Sequence, residues 1–268
     1  MIKTKMAALS LALLAMLAHA DDYVSPTEQR VSLSLGVMHV TSATDLRLDS
    51  SQGATGTYVD VERVFGMDRS DFEPKFEAWV RAGERNRLRF DYFMLDRTGN
   101  SVLTAPIVFR NVDLLTGDPV TSSLSIRTFG ISYEYSFLHS EKFELAAVLG
   151  VNDTDISASA RVFTQTRHVD QQEDQAGPFP TVGLDSTYVL SKRFYLDGRI
   201  QYFRAAGNNL SGMFDVYQLA ALYRLRANLS VALGYTGMKA ALSSQRLGTS
   251  GKFDFSSKGP ELFVKIAF

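Results

Sequence analysis

The sequence Gly259-Pro-Glu-Leu-Phe-Val-Lys-Ile-Ala-Phe268 closes the chain and decides the fold. Every second residue counted back from the end is apolar: Phe268, Ile266, Val264 and Leu262. The residues between them are mixed in character. This period of two predicts a β-strand with one continuous apolar face. We interpret it as the closing strand of a β-barrel that sits in a lipid bilayer.

The same alternation recurs at nine earlier places in the chain, each bounded by turn-forming residues. The sets cover residues 31–37, 76–82, 88–94, 131–137, 143–151, 182–188, 194–202, 217–223 and 229–235. With the closing strand they make ten. The predicted fold is therefore all-β, a transmembrane up-and-down antiparallel β-barrel of about ten strands, with eight or twelve as the alternatives.

The connections between these sets alternate between short and long. Short ones are expected near residues 83–86, 138–141, 191–192 and 225–228, and long ones near 49–72, 99–121, 163–179, 205–212 and 239–257. Short turns at one end and long loops at the other are typical of outer-membrane barrels. Segments 57–65 and 105–115 resist this scheme, and we expect 57–65 to extend a strand or to fold against the rim.

Aromatic residues bracket the predicted short turns. Phe137 and Phe143 flank one turn, and Tyr188 and Phe194 flank the next. Rings at the ends of membrane-spanning strands can face hydrocarbon and headgroups together. Their positions favour a barrel in a membrane over a soluble β-sandwich.

The first twenty residues predict an export signal. Lys3 and Lys5 give a basic start, residues 7–18 are apolar, and Ala18-His-Ala20 fits a small-x-small cleavage site. The predicted organisation is a signal peptide at 1–20 and a barrel domain at 21–268. Cysteine is absent, so packing and hydrogen bonds must hold the exported chain. The formal net charge of −1 gives no reason to expect a nucleic-acid partner.

Together these features resemble a bacterial outer-membrane β-barrel protein. The closing pattern of Leu262, Val264, Ile266 and Phe268 resembles the carboxy-terminal signal that the barrel assembly machinery reads. The resemblance implies a place in the outer membrane, with membrane lipid and the assembly machinery as partners, and a monomeric barrel. It singles out no characterised family, so it carries no functional residues to this chain.

The polar faces of the predicted strands carry charges of both signs, which the barrel would enclose. These residues are Lys75, Glu77, Arg81, Arg87, Arg89, Asp91, Glu134, Glu144, Asp185, Asp197, Arg199, Glu261 and Lys265. A barrel of eight strands is filled by its side chains, whereas about sixteen strands leave an aqueous channel. Ten strands favour a plug of paired charges, and a narrow solute pore is the alternative.

Catalytic chemistry has little support in the sequence. Asp153, Asp155, His168 and Asp170 are faintly similar to the carboxylates and histidine of the omptin proteases, but here all four lie on one strand and its loop. No nucleophile motif, metal-ligand spacing or phosphate-binding loop is present. We expect a non-enzymatic envelope protein with a mostly filled interior and without catalytic residues, metal or cofactor. A porin-like channel and an omptin-like rim hydrolase are the alternatives.

Overall fold

The computed structural model describes residues 23–50, 54–109, 112–163, 168–206, 210–244 and 250–268. The predicted signal peptide lies outside these described residues. Within them, ten long strands form the wall of a barrel. They are β1 (Val31–Leu48), β3 (Ser70–Ala82), β4 (Asn86–Val102), β7 (Pro119–His139), β8 (Phe143–Phe163), β9 (His168–Val189), β10 (Phe194–Ala206), β11 (Leu210–Arg226), β12 (Leu229–Ser244) and β13 (Gly251–Ala267).

The wall is closed by antiparallel pairing of its first and last strands. Each long strand pairs with its neighbours in sequence, and β1 pairs with β13, with Leu35 opposite Val264. Closure removes the exposed strand edges through which an open sheet would pair with other chains. The predicted up-and-down barrel and its ten wall strands are confirmed.

The wall alternates between an outer apolar face and an inner face, as its period requires. Leu149, Leu219 and Leu233 point outward and are 61–65% exposed. Inward residues near the short-turn end are mostly polar or charged, whereas those near the long-loop end include a large apolar cluster with Val40, Leu95 and Ile126. We call the enclosed space the lumen.

Strands extend well into the predicted long loops, which corrects those boundaries. In the predicted loop 239–257, β12 continues to Ser244 and β13 begins at Gly251. The inner residues Phe253 and Phe255 remain buried there, while the outer residue Lys252 is polar. The inward residues of these strand ends are mostly apolar, but the outward residues are mostly polar. In the sequence, such a stretch resembles a loop.

The two segments that resisted the strand scheme form small elements near the long-loop end. The first contains β2 (Val59–Asp60), which pairs with the upper part of β1, and helix α1 (Val61–Phe65). The second contains the hairpin of β5 (Ile107–Phe109) and β6 (Val112–Leu114). In the described part of the chain, no helix is long and apolar enough to cross a membrane.

Pairing between neighbouring wall strands is incomplete at two places, which we call the first and second seams. β3 and β4 pair only over 75–82 and 86–93, and β9 and β10 pair only over 182–189 and 195–202. Pro74 lies just beyond the first ladder, and Pro178 and Pro180 lie just beyond the second. Proline has no N–H to donate, so it is expected where a strand loses a partner.

The two seams are bridged in different ways, the first by the segment after α1 and the second by side chains of the wall strands. Met67, just after α1, forms a β-bridge with Gly99 of β4 across the first seam. A Cβ at Gly99 would lie 2.3 Å from the carbonyl oxygen of Phe65, so only glycine allows this approach. At the second seam, Phe179 packs on Phe203 and stacks on Phe214.

Candidate functional site: the charged lumen

A compact ion cluster crosses the middle of the lumen. Arg89 Nε lies 2.7 Å from Glu134, and its Nη2 lies 2.9 Å from Asp185. Arg87 contacts the same two carboxylates at 2.8 and 2.6 Å. The pairing of β4 with β7 sets Arg87 directly opposite Glu134, whereas Asp185 reaches both arginines from β9. Each buried charge in this cluster therefore faces an opposite one, as burial requires.

A second group of contacts closes the lumen toward the short-turn end. Arg81 holds Glu144 with two parallel bonds of 2.7 and 2.8 Å. Glu144 also accepts a hydrogen bond from Ser136, and His139 Nδ1 lies 3.4 Å away. A bidentate arginine–carboxylate pair is among the stronger contacts in proteins. This pair fixes β3 against β8 across the interior.

On the long-loop side of the cluster, one contact joins β3 to β13 past β1, and another spans the lumen. Lys75 Nζ lies 2.6 Å from Glu261 and 3.3 Å from Glu77. Arg199 binds Asp91 with two bonds of 2.7 and 2.9 Å, which join β10 to β4.

The single tryptophan lies inside the lumen, in the midst of basic groups. The ring of Trp79 lies 5.5–5.9 Å from the cationic groups of Arg81, Arg87 and Lys265. Lys265 also contacts Asp197 at 2.9 Å. The face of the electron-rich ring attracts these cations, so Trp79 stabilises the basic groups that it packs against.

The structure places all thirteen charged residues that the sequence assigned to the interior in ion pairs, which fall into three groups. Nine of the residues are linked around the central cluster, and the pairs Arg199–Asp91 and Lys265–Asp197 stand apart from it. We call these thirteen residues the charged network. Several other members of the same site were not predicted from the sequence, namely Trp79, Ser136, Tyr195, Gln201, Gln218 and Arg224. Their positions in the alternation signal an inward side chain. Predicting their partners requires distances across the lumen, which the sequence does not contain.

The amino-terminal segment 23–30 covers the short-turn end of the lumen. Ser25 and Thr27 are buried and donate hydrogen bonds to the carbonyl of Glu141 in a short turn. Gln29 accepts a bond from Arg81 through its carbonyl. The buried guanidinium of Arg224 has no hydrogen-bond partner in the described part of the chain and lies 4.5 Å from the ring of Tyr23. The barrel therefore has a polar floor.

Helix α1 folds into the opposite end of the lumen. Its Glu62 is buried, contacts Arg97 of β4 at 2.6 Å and accepts a bond from the backbone of Thr44. Val61 and Phe65 pack into the apolar cluster of the upper lumen. Asp60 caps the amino end of α1, and Gly66 ends it with φ of 67°, a left-handed conformation that favours glycine.

Two cavities inside the lumen are lined by described residues. One of about 100 Å³ lies among the upper apolar residues, and one of about 20 Å³ lies toward the floor beside Trp79. Glu77, Arg199 and Gln218 line both, so this layer separates them. The smaller cavity has about the volume of one or two water molecules.

The outer rim carries a row of three carboxylates on adjacent strands. Asp45 lies opposite Asp254 of β13 on one side and Asp60 of β2 on the other. Lys252 pairs with Asp254 and Arg69 pairs with Asp60, whereas Asp45 has no ion-pair partner among the described side chains. Burial, followed by the charges of Asp60 and Asp254, raises the pKa of Asp45 above its usual range.

Asp49, just after β1, has the opposite electrostatic setting. Burial alone would raise its pKa, but hydrogen bonds from Ser250, Gly56 and Arg47 outweigh this effect and lower the pKa. Their distances are 2.5, 2.9 and 3.3 Å. Asp49 therefore ties the end of β1 to the chain on both sides of it.

The structure does not bring the residues of the omptin-like alternative together. Asp153 and Asp155 lie on the outer, exposed face of β8. Asp170 pairs with Arg161 at 3.0 Å, and His168 lies opposite Phe163 at the end of the strand. Eight residues separate Asp155 from Phe163, which is roughly 26 Å along a strand. Among the described residues, no group of three or more His, Asp or Glu side chains is arranged to hold a metal ion.

Leu262, Val264 and Ile266 lie on the outer face of β13, as their alternation predicts, and Phe268 follows directly after the strand. Leu262 and Val264 are 53% and 44% exposed, and they stand opposite Val37 and Leu35 of β1. Ile266 and Phe268 are partly covered. The three strand residues therefore belong to the apolar exterior and to the strand that closes the barrel.

Comparison with known proteins identifies the fold and no family. No protein-family model matches the chain. No curated protein matches it either. Among solved structures, the outer membrane protease OmpT from Escherichia coli aligns at a TM-score of 0.58 and 10% identity, covering 93% of this chain and 100% of that one. This likeness establishes the shared architecture of an outer-membrane β-barrel and nothing about activity.

Two further solved structures align less closely. The transport unit of the autotransporter AIDA-I from Escherichia coli has a TM-score of 0.45 at 8% identity, over 95% of this chain and 97% of that one. Ail from Yersinia pestis has a TM-score of 0.36 at 10% identity, over 88% and 99%. Both are outer-membrane barrels, and the likeness is too low to carry any functional argument.

Proposed function

We propose that this protein is a non-enzymatic β-barrel of the bacterial outer membrane whose lumen is closed to solutes and whose long loops face outward. One observation carries the closed lumen: the charged network joins opposite walls by direct contacts, such as Arg199 to Asp91 and Arg81 to Glu144. These charges are already paired, so an ion entering the lumen would have to displace a buried partner.

The exterior supports the membrane location. On β10, the exposed aromatics Phe194 and Tyr202 lie eight residues apart. At about 3.3 Å per residue and a tilt of about 40°, this spacing is roughly 20 Å, close to the apolar band of outer-membrane barrels. Other exposed rings repeat both levels around the wall, including Tyr188 and Phe137 at the short-turn end and Phe129 and Tyr235 at the other.

The partners that follow from this placement are membrane lipid and the barrel assembly machinery. The exposed apolar face of β13, with Leu262 and Val264, supports recognition of the closing strand. We propose that the barrel is a monomer, because β1 and β13 pair with each other and leave no strand edge open for a second copy. Neither nucleic acid nor a cofactor has a part in this proposal.

The test of the closed lumen is conductance in a planar bilayer. We expect purified protein to give no stepwise currents, whereas a known general porin, inserted in the same way, gives them. The triple variant Arg87→Ser, Arg89→Ser, Asp185→Ser removes the central cluster and should conduct if it folds, which circular dichroism checks. Stepwise currents from the unaltered protein would overturn the closed lumen.

A narrow solute channel is the second candidate, and one observation favours it. The two cavities of the lumen are separated only by the layer of Glu77, Arg199 and Gln218. Movement of this layer would join them into a path toward the floor. The same recording decides between the two, since currents that a Gln218→Leu variant abolishes would assign the path to this layer.

A further inference from the structure

The upper cavity differs from the rest of the lumen in its lining. Its upper wall includes the apolar side chains of Met38, Val40, Phe93, Phe214, Val216 and Met238, whereas polar and charged residues line the rest of the cavity. These residues come from β1, β4, β11 and β12, so several sides of the barrel contribute. The cavity measures about 100 Å³, and Val40 and Phe214 are almost fully buried around it.

The charged floor of this cavity has its own partners within the protein. Lys75 is held by Glu261 and Glu77, and Arg199 is held by Asp91. The uncharged polar groups on the lining are engaged as well. Gln218 donates to Glu261 at 2.8 Å, Gln201 donates to Ser132 at 3.1 Å, and Asn152 donates to Thr181 at 3.3 Å. No charge on the lining therefore calls for a charged guest.

These features select the chemistry of the guest. An ordered water molecule needs two to four polar partners. The apolar part of the wall offers none, and the hydroxyl groups of Thr128 and Ser257 are already hydrogen-bonded to Thr154 and Ser42. Apolar cavities of about 150 Å³ stay dry and take up benzene or xenon. A charged guest would lose its hydration without gaining a partner. An aromatic guest gains most here, because the rings of Phe93 and Phe214 can meet it edge to face.

We propose that the upper cavity is a binding site for a small, uncharged aromatic molecule of about the size of benzene. The charged network forms its floor, and the upper wall residues supply the contact surface. The proposal holds whether or not the lumen conducts, so failure of the closed-lumen proposal would leave it standing.

The direct test is diffraction from crystals of the full barrel exposed to iodobenzene vapour. We expect the iodine anomalous peak in the cavity bounded by Val216, Met238 and Phe214. In a Val216→Phe variant the added ring fills the cavity, and the peak should be lost. A Val182→Phe variant makes the same change on the exposed outer face and should keep the peak. A peak only on the outer wall, or an acyl chain in the cavity, would overturn the proposal.

A solution measurement covers the case in which crystals exclude the vapour. Because a ligand that binds only the folded state stabilises it, benzene at fixed free concentration should raise the midpoint of thermal unfolding. The rise should be the same in Val182→Phe as in the unaltered protein and absent in Val216→Phe. No shift in the unaltered protein would overturn the proposal, and so would an equal shift in all three proteins, which would assign the effect to the detergent or the exterior.

Discussion

At the scale of single residues, the lumen shows how buried charge is tolerated. Glu134 has no solvent exposure, and two arginines compensate its charge. Removing one member leaves the others buried without full compensation, which costs more than the intact pair contributes. The exposed pair of Arg204 and Asp215 has similar geometry, but water screens it.

A Glu134→Ala variant should therefore be strongly destabilised. We expect the free energy of unfolding to fall by about 3–5 kcal/mol, because Arg87 and Arg89 are left with Asp185 and with longer contacts to Glu144 and Glu77 at 3.5 and 3.8 Å. Urea unfolding in lipid vesicles measures the loss. Asp215→Ala is the matched control and should change stability far less. Equal losses in the two variants would contradict a structural role for the charged network.

Asp45 gives a prediction that depends on pH. The pKa of Asp45 is higher in the folded protein than the value of about 3.9 in the unfolded chain. Ionisation of this carboxylate therefore lowers the stability of the fold as the pH rises from the unfolded pKa through the folded pKa, and the loss is complete above both. Asp45→Asn should stabilise the protein by about 0.5 kcal/mol at pH 7 and by nothing at pH 3. Thermal unfolding at the two pH values measures this. A gain that persists at pH 3 would show that the ionised carboxylate of Asp45 is not the cause.

At the scale of elements, helix α1 shows how a short segment is fixed inside the mouth of the barrel. Five residues are too few for an isolated helix to be stable, so tertiary contacts must hold it. Val61 and Phe65 of α1 pack into the apolar cluster of the upper lumen, and the buried contact of Glu62 with Arg97 fixes the position of the helix.

An Arg97→Met variant tests this attachment. Methionine retains an unbranched apolar side chain in place of the arginine stem but lacks the guanidinium that pairs with Glu62. The segment around α1 should therefore open more readily. A charged hydrogen bond contributes about 1.5–3 kcal/mol, which predicts amide exchange in α1 at least about tenfold faster. Mass spectrometry of exchanged peptides measures it. Arg69→Met, which removes an exposed pair with Asp60, should leave the exchange unchanged, and a similar rate in both variants would contradict the prediction.

The sequence predicted the elements much better than their ends or their contacts. Period-two alternation identifies the ten strands because one face meets lipid and the other meets charge. The ends were wrong because the outer face turns polar beyond the apolar band, as at Lys252. The seams could have been predicted from Pro74, Pro178 and Pro180, which cannot donate to a ladder. The contact of Arg199 with Asp91 could not, since it joins β10 to β4 across the lumen.

At the scale of the whole molecule, closure depends on the pairing of β1 with β13. Leu35 and Val264 face each other on the outer wall, and the chain has no native cysteine. Residues opposite each other in an antiparallel pair have Cα atoms about 4.5–5.5 Å apart, within the range that a disulfide spans.

The double variant Leu35→Cys, Val264→Cys should therefore form an intramolecular disulfide when the folded barrel is oxidised. Mass spectrometry of the digested, unreduced protein would detect the linked peptides. The control pair Leu35→Cys, Val231→Cys places the second cysteine one strand further, about 9–10 Å away, and should stay unlinked. Linkage of the control pair alone would contradict the observed closure.

The two seams divide the outer part of the wall unevenly. β4, β7, β8 and β9 form one panel, and the other six strands form a second. Near the short turns, full ladders and the ion pairs across the interior join the panels, whereas farther out only side chains and the chain around α1 connect them. The geometry predicts that the short-turn end of the barrel is rigid. The long-loop end can widen or narrow as the two panels move relative to each other.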